Sequence, residues 1–173
     1  MKKNIIILIT YFVCLHSSFG QCSDVQMYDI YTPIGKPVTT YLTCEASNVA
    51  RAFWNDYWDT TYPNAQKIIV YDGLSATRKF NCHGHAWLRV EQGIDRWIGY
   101  FGGNRDPDIY MADGTNSGNN SYTQVSSEVF PGKVFWERPG GDHTAITTEQ
   151  PGWFISKWNE SPLFKHSWND SPY

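Results

Sequence analysis

The chain has 173 residues, carries 14 Lys and Arg against 17 Asp and Glu, and is 16% aromatic but only 18% charged. That length suits one globular domain, and the aromatic content at a net charge of −3 excludes a disordered chain, which needs few apolar residues and many like charges. No block of Lys and Arg occurs, so the clustered basic surface of a nucleic-acid binder is absent too.

Lys2 and Lys3 precede an apolar run from Ile5 to Leu15, and the small residues Ser17, Ser18 and Gly20 follow it. This is the layout of a secretory signal peptide, and the run is too short to span a bilayer. Residues 1–20 are expected to be removed, which makes the protein secreted or periplasmic, with no transmembrane helix in its mature form. Lipidation at Cys22 is the alternative, although Gln21 stands where a lipoprotein signal carries a small residue. Cleavage removes Cys14 and leaves Cys22, Cys44 and Cys82, an odd number for an exported chain. A Cys22–Cys44 disulfide would tie down the fraying mature N-terminus, and Cys82 is then left over.

Residues 21–45 read as an irregular lead-in with short strand-like pieces at Tyr28, Ile30 and Tyr41–Leu42; a single domain is expected over 46–173. Ser47 is placed to cap a helix through Val49, Ala50, Phe53, Trp54 and Tyr57, which recur at three- and four-residue spacing. Ile68–Tyr71 is a β-branched run closed by Asp72–Gly73, a strand and turn. Asn81 is then placed to cap a helix that begins at Cys82 and ends at Gly93. A cysteine in the first turn faces unpaired backbone N–H groups and the positive end of the helix dipole, both of which favour the thiolate.

Residues 96–101 predict another strand, and 102–120 a long polar loop with turn chemistry at 113–120. The final third alternates β-prone runs with Gly and Pro turns: Lys133–Trp136, His143–Thr148 and Trp153–Trp158. Helical character early and strands late predict an α+β fold.

Nucleophilic catalysis by cysteine needs a base and a group that orients it. His143 enters a strand from the tight turn Pro139-Gly140-Gly141-Asp142, beside the small residues Thr144 and Ala145. Pro131-Gly132-Lys133-Val134-Phe135-Trp136, Asp142-His143-Thr144-Ala145-Ile146 and Gly152-Trp153-Phe154-Ile155-Ser156, with Asn81-Cys82-His83-Gly84-His85-Ala86-Trp87 upstream, resemble the motifs of NlpC-type and CHAP-type cell-wall cysteine hydrolases. The resemblance covers roughly residues 75–160.

It implies a papain-like core with the nucleophile at a helix N-terminus packed on an antiparallel sheet. Cys82 would attack a carbonyl, with His143 as base and then acid. The third catalytic position falls at or next to Ser156, a departure, since the family has His, Asn or Gln there; Lys157, Asn159 and His166 are the alternatives. Asn81, His83, Trp87 and Asp142 are the candidate substrate-binding residues, His83 standing where the family has serine. Peptidoglycan peptides, or peptides generally, are the implied substrate of a monomeric enzyme without cofactor.

A metal site at Cys82, His83 and His85 is disfavoured, because side chains at i, i+1 and i+3 of one helix do not converge and no second ligand cluster exists. The same fold could instead run acyl transfer or act as an antibacterial toxin. The rival from another class is a non-catalytic wall- or glycan-binding module using Trp54, Trp58 and Trp97, whereas Trp87, Trp136, Trp153 and Trp158 fit a core.

Overall fold

The computed structural model describes residues 26–99, 106–111, 122–136 and 142–173. The expected leader, Cys22, the turn-rich tip at 113–120 and the turn residues 137–141 lie outside them. Cys44 is disulfide-bonded, and Cys82 is a free, buried thiol.

The stretch expected to be an irregular lead-in is a β-hairpin. Strands β1 (Gln26–Tyr31) and β2 (Pro37–Leu42) pair antiparallel, and β2 pairs in turn with β4 (Trp97–Ile98). Alternation along β2 sends Val38 and Thr40 inward, and Val38 is fully buried against the centre of the molecule. The hairpin therefore belongs to the folded body, which starts well before residue 46.

Helix α1 (Asn48–Thr61) begins where expected, with the Ser47 hydroxyl accepting from the Ala50 N–H at 3.2 Å. Its buried residues are Arg51 and Asn55, whereas Val49, Phe53 and Tyr57 face outward. Polar groups sit inside because the chain at 71–76 offers its backbone there. Arg51 donates to the carbonyls of Ala76 and Tyr71, both at 2.8 Å, and the Asn55 side-chain oxygen accepts from the Ala76 N–H at 3.1 Å.

Strand β3 (Gln66–Ile68) ends earlier than expected, but the turn follows as the residues dictate. Asp72 and Gly73 take φ of 50° and 74°, and Tyr71 bridges to Leu74.

The next helix, α2, starts at Cys82 and contains a π-helical stretch, Gly84–Arg89, followed by Val90–Gln92. The Val90 N–H donates to the His85 carbonyl five residues back. Gly93, with φ of 69°, ends the helix in the left-handed conformation. The segment read as a long loop contains a short helix, α3 (Asp106–Met111), with Pro107 in its first turn, where a missing N–H does no harm.

Strands β5 (Lys133–Trp136), β6 (His143–Thr147), β7 (Trp153–Lys157) and β8 (Leu163–Ser167) join β3 in a second antiparallel sheet of order β3-β8-β7-β6-β5. β8 was not anticipated. Between the two sheets lies a cluster of Val38, Ala86, Trp87, Leu88, Ile98 and Tyr110, with Ile30 packing from one sheet and Phe135 and Ile146 from the other. Burial of each large aliphatic side chain there contributes about 1.5–3 kcal/mol, so α2 is the element that joins the sheets. The fold is α+β.

Candidate active site

Asn81 positions Cys82. Its side-chain oxygen accepts from the Gly84 N–H at 2.8 Å and from the Ile98 N–H at 3.3 Å, while its amide donates to the Ile98 carbonyl at 2.7 Å. The cap thus fixes the start of α2 and clips it to β4. Both polar atoms of its side chain are engaged in structure.

Cys82 is 7% exposed, and its sulfur faces the backbone N–H groups of Thr144, His83 and Cys82 itself, with the Lys157 ammonium as the nearby charge. Burial dominates and pushes the thiol up to about 11, although those donors and Lys157 pull the other way. In this closed arrangement the group is a thiol at neutral pH.

His83 shares a 2.7 Å hydrogen bond with the Thr144 hydroxyl, and its ring lies beside Trp87 and Phe135. Burial lowers it to about 4, partly opposed by Asp142, whose backbone reaches the ring. Asp142 therefore meets His83. Trp87 is 1% exposed and stacks on Tyr110 at 5.2 Å. It is a core residue and does not line a groove.

The two faces of β6 divide the expected constellation. Thr144 and Ile146 face α2, through the bond to His83 and the contact with the central cluster. His143, one residue earlier, faces the other way. Its ring lies 5.4 Å from that of Trp136, its cross-strand partner, and is covered by Tyr173 at 3.5 Å. The groups that act on the Cys82 sulfur come from Thr144, His83 and Lys157, whereas the His143 ring packs on Tyr173 and Trp136.

Ser156 shares His143's face. It sits opposite Ala145, and its hydroxyl is 2.8 Å from His166 Nε2 and accepts from Trp158 Nε1 at 2.8 Å. His166 Nδ1 lies 2.9 Å from the Ser167 carbonyl, which can only accept, so Nδ1 carries the proton and Ser156 donates to Nε2. This chain Trp158–Ser156–His166 orients no base for Cys82.

On the Cys82 side stands Lys157. Fully buried, it donates from Nζ to the carbonyls of Asn159 and Ser161 and lies 5.6 Å from the centre of the Phe80 ring. Burial lowers its amine to about 7, against the pull of Cys82, Glu45 and Glu160. Period-two alternation with Ser156 is the signal that places it opposite Ser156. His85 completes the cluster, its ring 5.9 Å from Phe80 and lowered to about 3, first by burial and then by Arg89, Lys157 and Lys133.

Of the tryptophans considered for stacking, Trp97 is buried, with Nε1 donating to the Arg78 carbonyl, and Trp58 packs edge-on against Trp158 at 5.2 Å. Among the described residues no group of three His, Cys, Asp or Glu side chains is placed to hold a metal ion, and no helix is long and apolar enough to cross a membrane. No known family model, curated protein or solved structure matches the chain.

Proposed function

We propose that the chain is an exported thiol hydrolase with a papain-like core, which cleaves amide bonds in peptidoglycan stem peptides or cross-bridges through a thioester on Cys82. One observation carries the reading. The Cys82 sulfur stands at the amino end of α2 facing three backbone N–H donors, those of Cys82, His83 and Thr144. Such donors stabilise a thiolate and sit where an oxyanion would form next to it. The strand order around the site also supports it, since the strands bearing His143 and Ser156 are neighbours and α2 packs on the sheet through His83 and Thr144. For His143 to act as base, its ring has to leave Tyr173 and cross to the other face of β6.

Alanine at Cys82 should abolish release of peptides from purified cell walls while leaving thermal stability nearly unchanged. Iodoacetamide should label Cys82 in the wild type faster than a free thiol once substrate opens the site. Cell walls that yield no product with wild type, or equal product with Cys82→Ala, refute the reading.

A second reading rests on the burial of the thiol and the covering of His143 by Tyr173. Both suit a non-catalytic wall- or glycan-binding module, which would retain binding in pull-downs after loss of either residue.

A further inference from the structure

We propose that Lys157, and not His143, is the proton acceptor for the Cys82 thiol. The inference rests on the hydrolase reading above and deepens it.

Geometry carries the argument. β7 presents Lys157 to the α2 side of the sheet, the side that holds Cys82, and Ser156 to the other. Nζ is held by two carbonyls, Asn159 and Ser161, which take two of its hydrogens and leave the remaining valence for a third partner. Cys82 lies within electrostatic reach of that amine, and the buried Phe80 ring lies 5.6 Å from Nζ. His85, whose field also reaches Lys157, has its Nδ1 buried without a hydrogen-bond partner, although nearly all buried polar atoms have one. The π-helical turn at Gly84–Arg89 carries His85, and such turns recur at functional sites.

The titratable groups facing Lys157 are Cys82, Glu45 and Glu160, with His85 also within its field. Glu160 is paired with Arg78 at 3.0 Å, and Glu45 lies 3.9 Å from Arg51. At neutral pH the amine is near its midpoint of about 7, so a large share of it is free to take a proton.

In the step, the Cys82 proton moves to the Lys157 lone pair and sulfur bonds to the substrate carbonyl carbon, whose π pair passes to oxygen. The oxyanion then collapses, the carbon–nitrogen bond breaks, and the leaving amine takes the proton from the lysine ammonium. Water next attacks the thioester and gives its proton to Lys157. The carbon–sulfur bond breaks, and the thiolate recovers that proton.

The test compares wild type, Lys157→Met, Lys157→Arg, His143→Ala and Cys82→Ala on peptidoglycan sacculi from pH 5 to 10, with iodoacetamide labelling of Cys82 read by mass spectrometry. Wild-type turnover and labelling should both rise through about pH 7. Lys157→Met and Lys157→Arg should each lose about 100-fold or more in turnover, the scale of a missing general base, together with the limb near pH 7. Retention of that limb in Lys157→Met, or its loss in His143→Ala alone, overturns the assignment. Should the Lys157 variants not fold, wild-type labelling decides: a rise only toward about 11 overturns the proposal. Sacculi left intact by wild type, or cleaved by Cys82→Ala, refute the hydrolase reading instead, and the labelling arm still judges Lys157.

Discussion

The rings of His143 and Tyr173 lie face to face, 3.5 Å between centroids and 5° from parallel, on the side of β6 that turns away from Cys82. Trp136 flanks the imidazole at 5.4 Å, and Trp168 packs on Trp136 in turn at 5.3 Å. The last residues of the sequence are thereby strapped across the sheet.

An aromatic pair of this kind contributes about 0.5–1.5 kcal/mol beyond the area it buries. Tyr173→Ala should therefore lower Tm by a few degrees, roughly 2–4 °C per kcal/mol at this chain length, and Tyr173→Phe should leave it unchanged. Differential scanning calorimetry of the two variants checks this, and equal Tm values would deny the stack a role in solution.

At Gly84 a Cβ would sit 1.8 Å from the Arg96 carbonyl oxygen and 3.2 Å from the Asn81 side-chain oxygen. The first contact is with backbone and is not relieved by rotating a side chain. Gly84→Ala should force α2 away from the chain leading into β4, with a loss of about 3 kcal/mol or more, the upper range for overpacking. The expected result is a urea midpoint far below wild type, or insoluble protein. A midpoint close to wild type would mean that this helix and the Arg96 backbone are not in contact.

Loss of the Asn81 side chain removes a helix cap and leaves the Ile98 carbonyl without its donor. The two effects together should cost about 2–4 kcal/mol in Asn81→Ala. Asn81→Asp keeps the acceptor for the Gly84 N–H but sets a carboxylate against that carbonyl, so it should recover only part of the loss. Chemical denaturation of both variants gives the order.

His83 and His85 are held neutral at about 4 and about 3, first of all by burial. Unfolded, both titrate near 6.5, so below that pH the unfolded chain binds protons that the folded chain refuses. The contribution of these two rings to stability is complete above about 6.5 and falls as pH drops toward 4, by on the order of 3 kcal/mol for each ring. Asp95, raised to about 6 by burial and by Glu45, works in the opposite direction between about 4 and 6 and softens the slope. His85→Phe removes one titrating ring and one unpartnered nitrogen. It should reduce the difference in unfolding free energy between pH 7.5 and pH 4.5 by more than half, since Asp95 offsets part of what the two rings contribute together, and an unchanged difference would show that His85 does not titrate on unfolding.

What the sequence made legible was local. Ser47, Asn81 and Gly93 mark helix ends because a cap is decided by a few neighbouring backbone groups. Strands β5, β6 and β7 follow from runs of β-prone residues between turns. Long-range choices were not legible. Alternation says that His143 and Thr144 point to opposite faces of β6, but only the packing of α2 decides which of them meets Cys82. The same ambiguity hid Lys157 behind Ser156. In α1 the spacing of Val49, Phe53 and Tyr57 predicted a helix but did not mark its buried side, which Arg51 and Asn55 take to satisfy the backbone at 71–76. β8 has Lys165 and His166 in its middle and reads as polar chain, yet its edges find β7 and β3.

The bond from Val90 to the carbonyl of His85 sets the phase of everything after it. A turn closed five residues back, in place of four, holds one residue more than α geometry and winds the later chain back by an arc of about 100°. The end bearing Cys82 can then address the sheet at Thr144 while Glu91, two turns on, is still aimed at Lys133 and Tyr122. Deleting one residue between Gly84 and Arg89 would restore an even pitch and rotate one end out of register with its partners, so the two ends cannot both be seated on a regular helix.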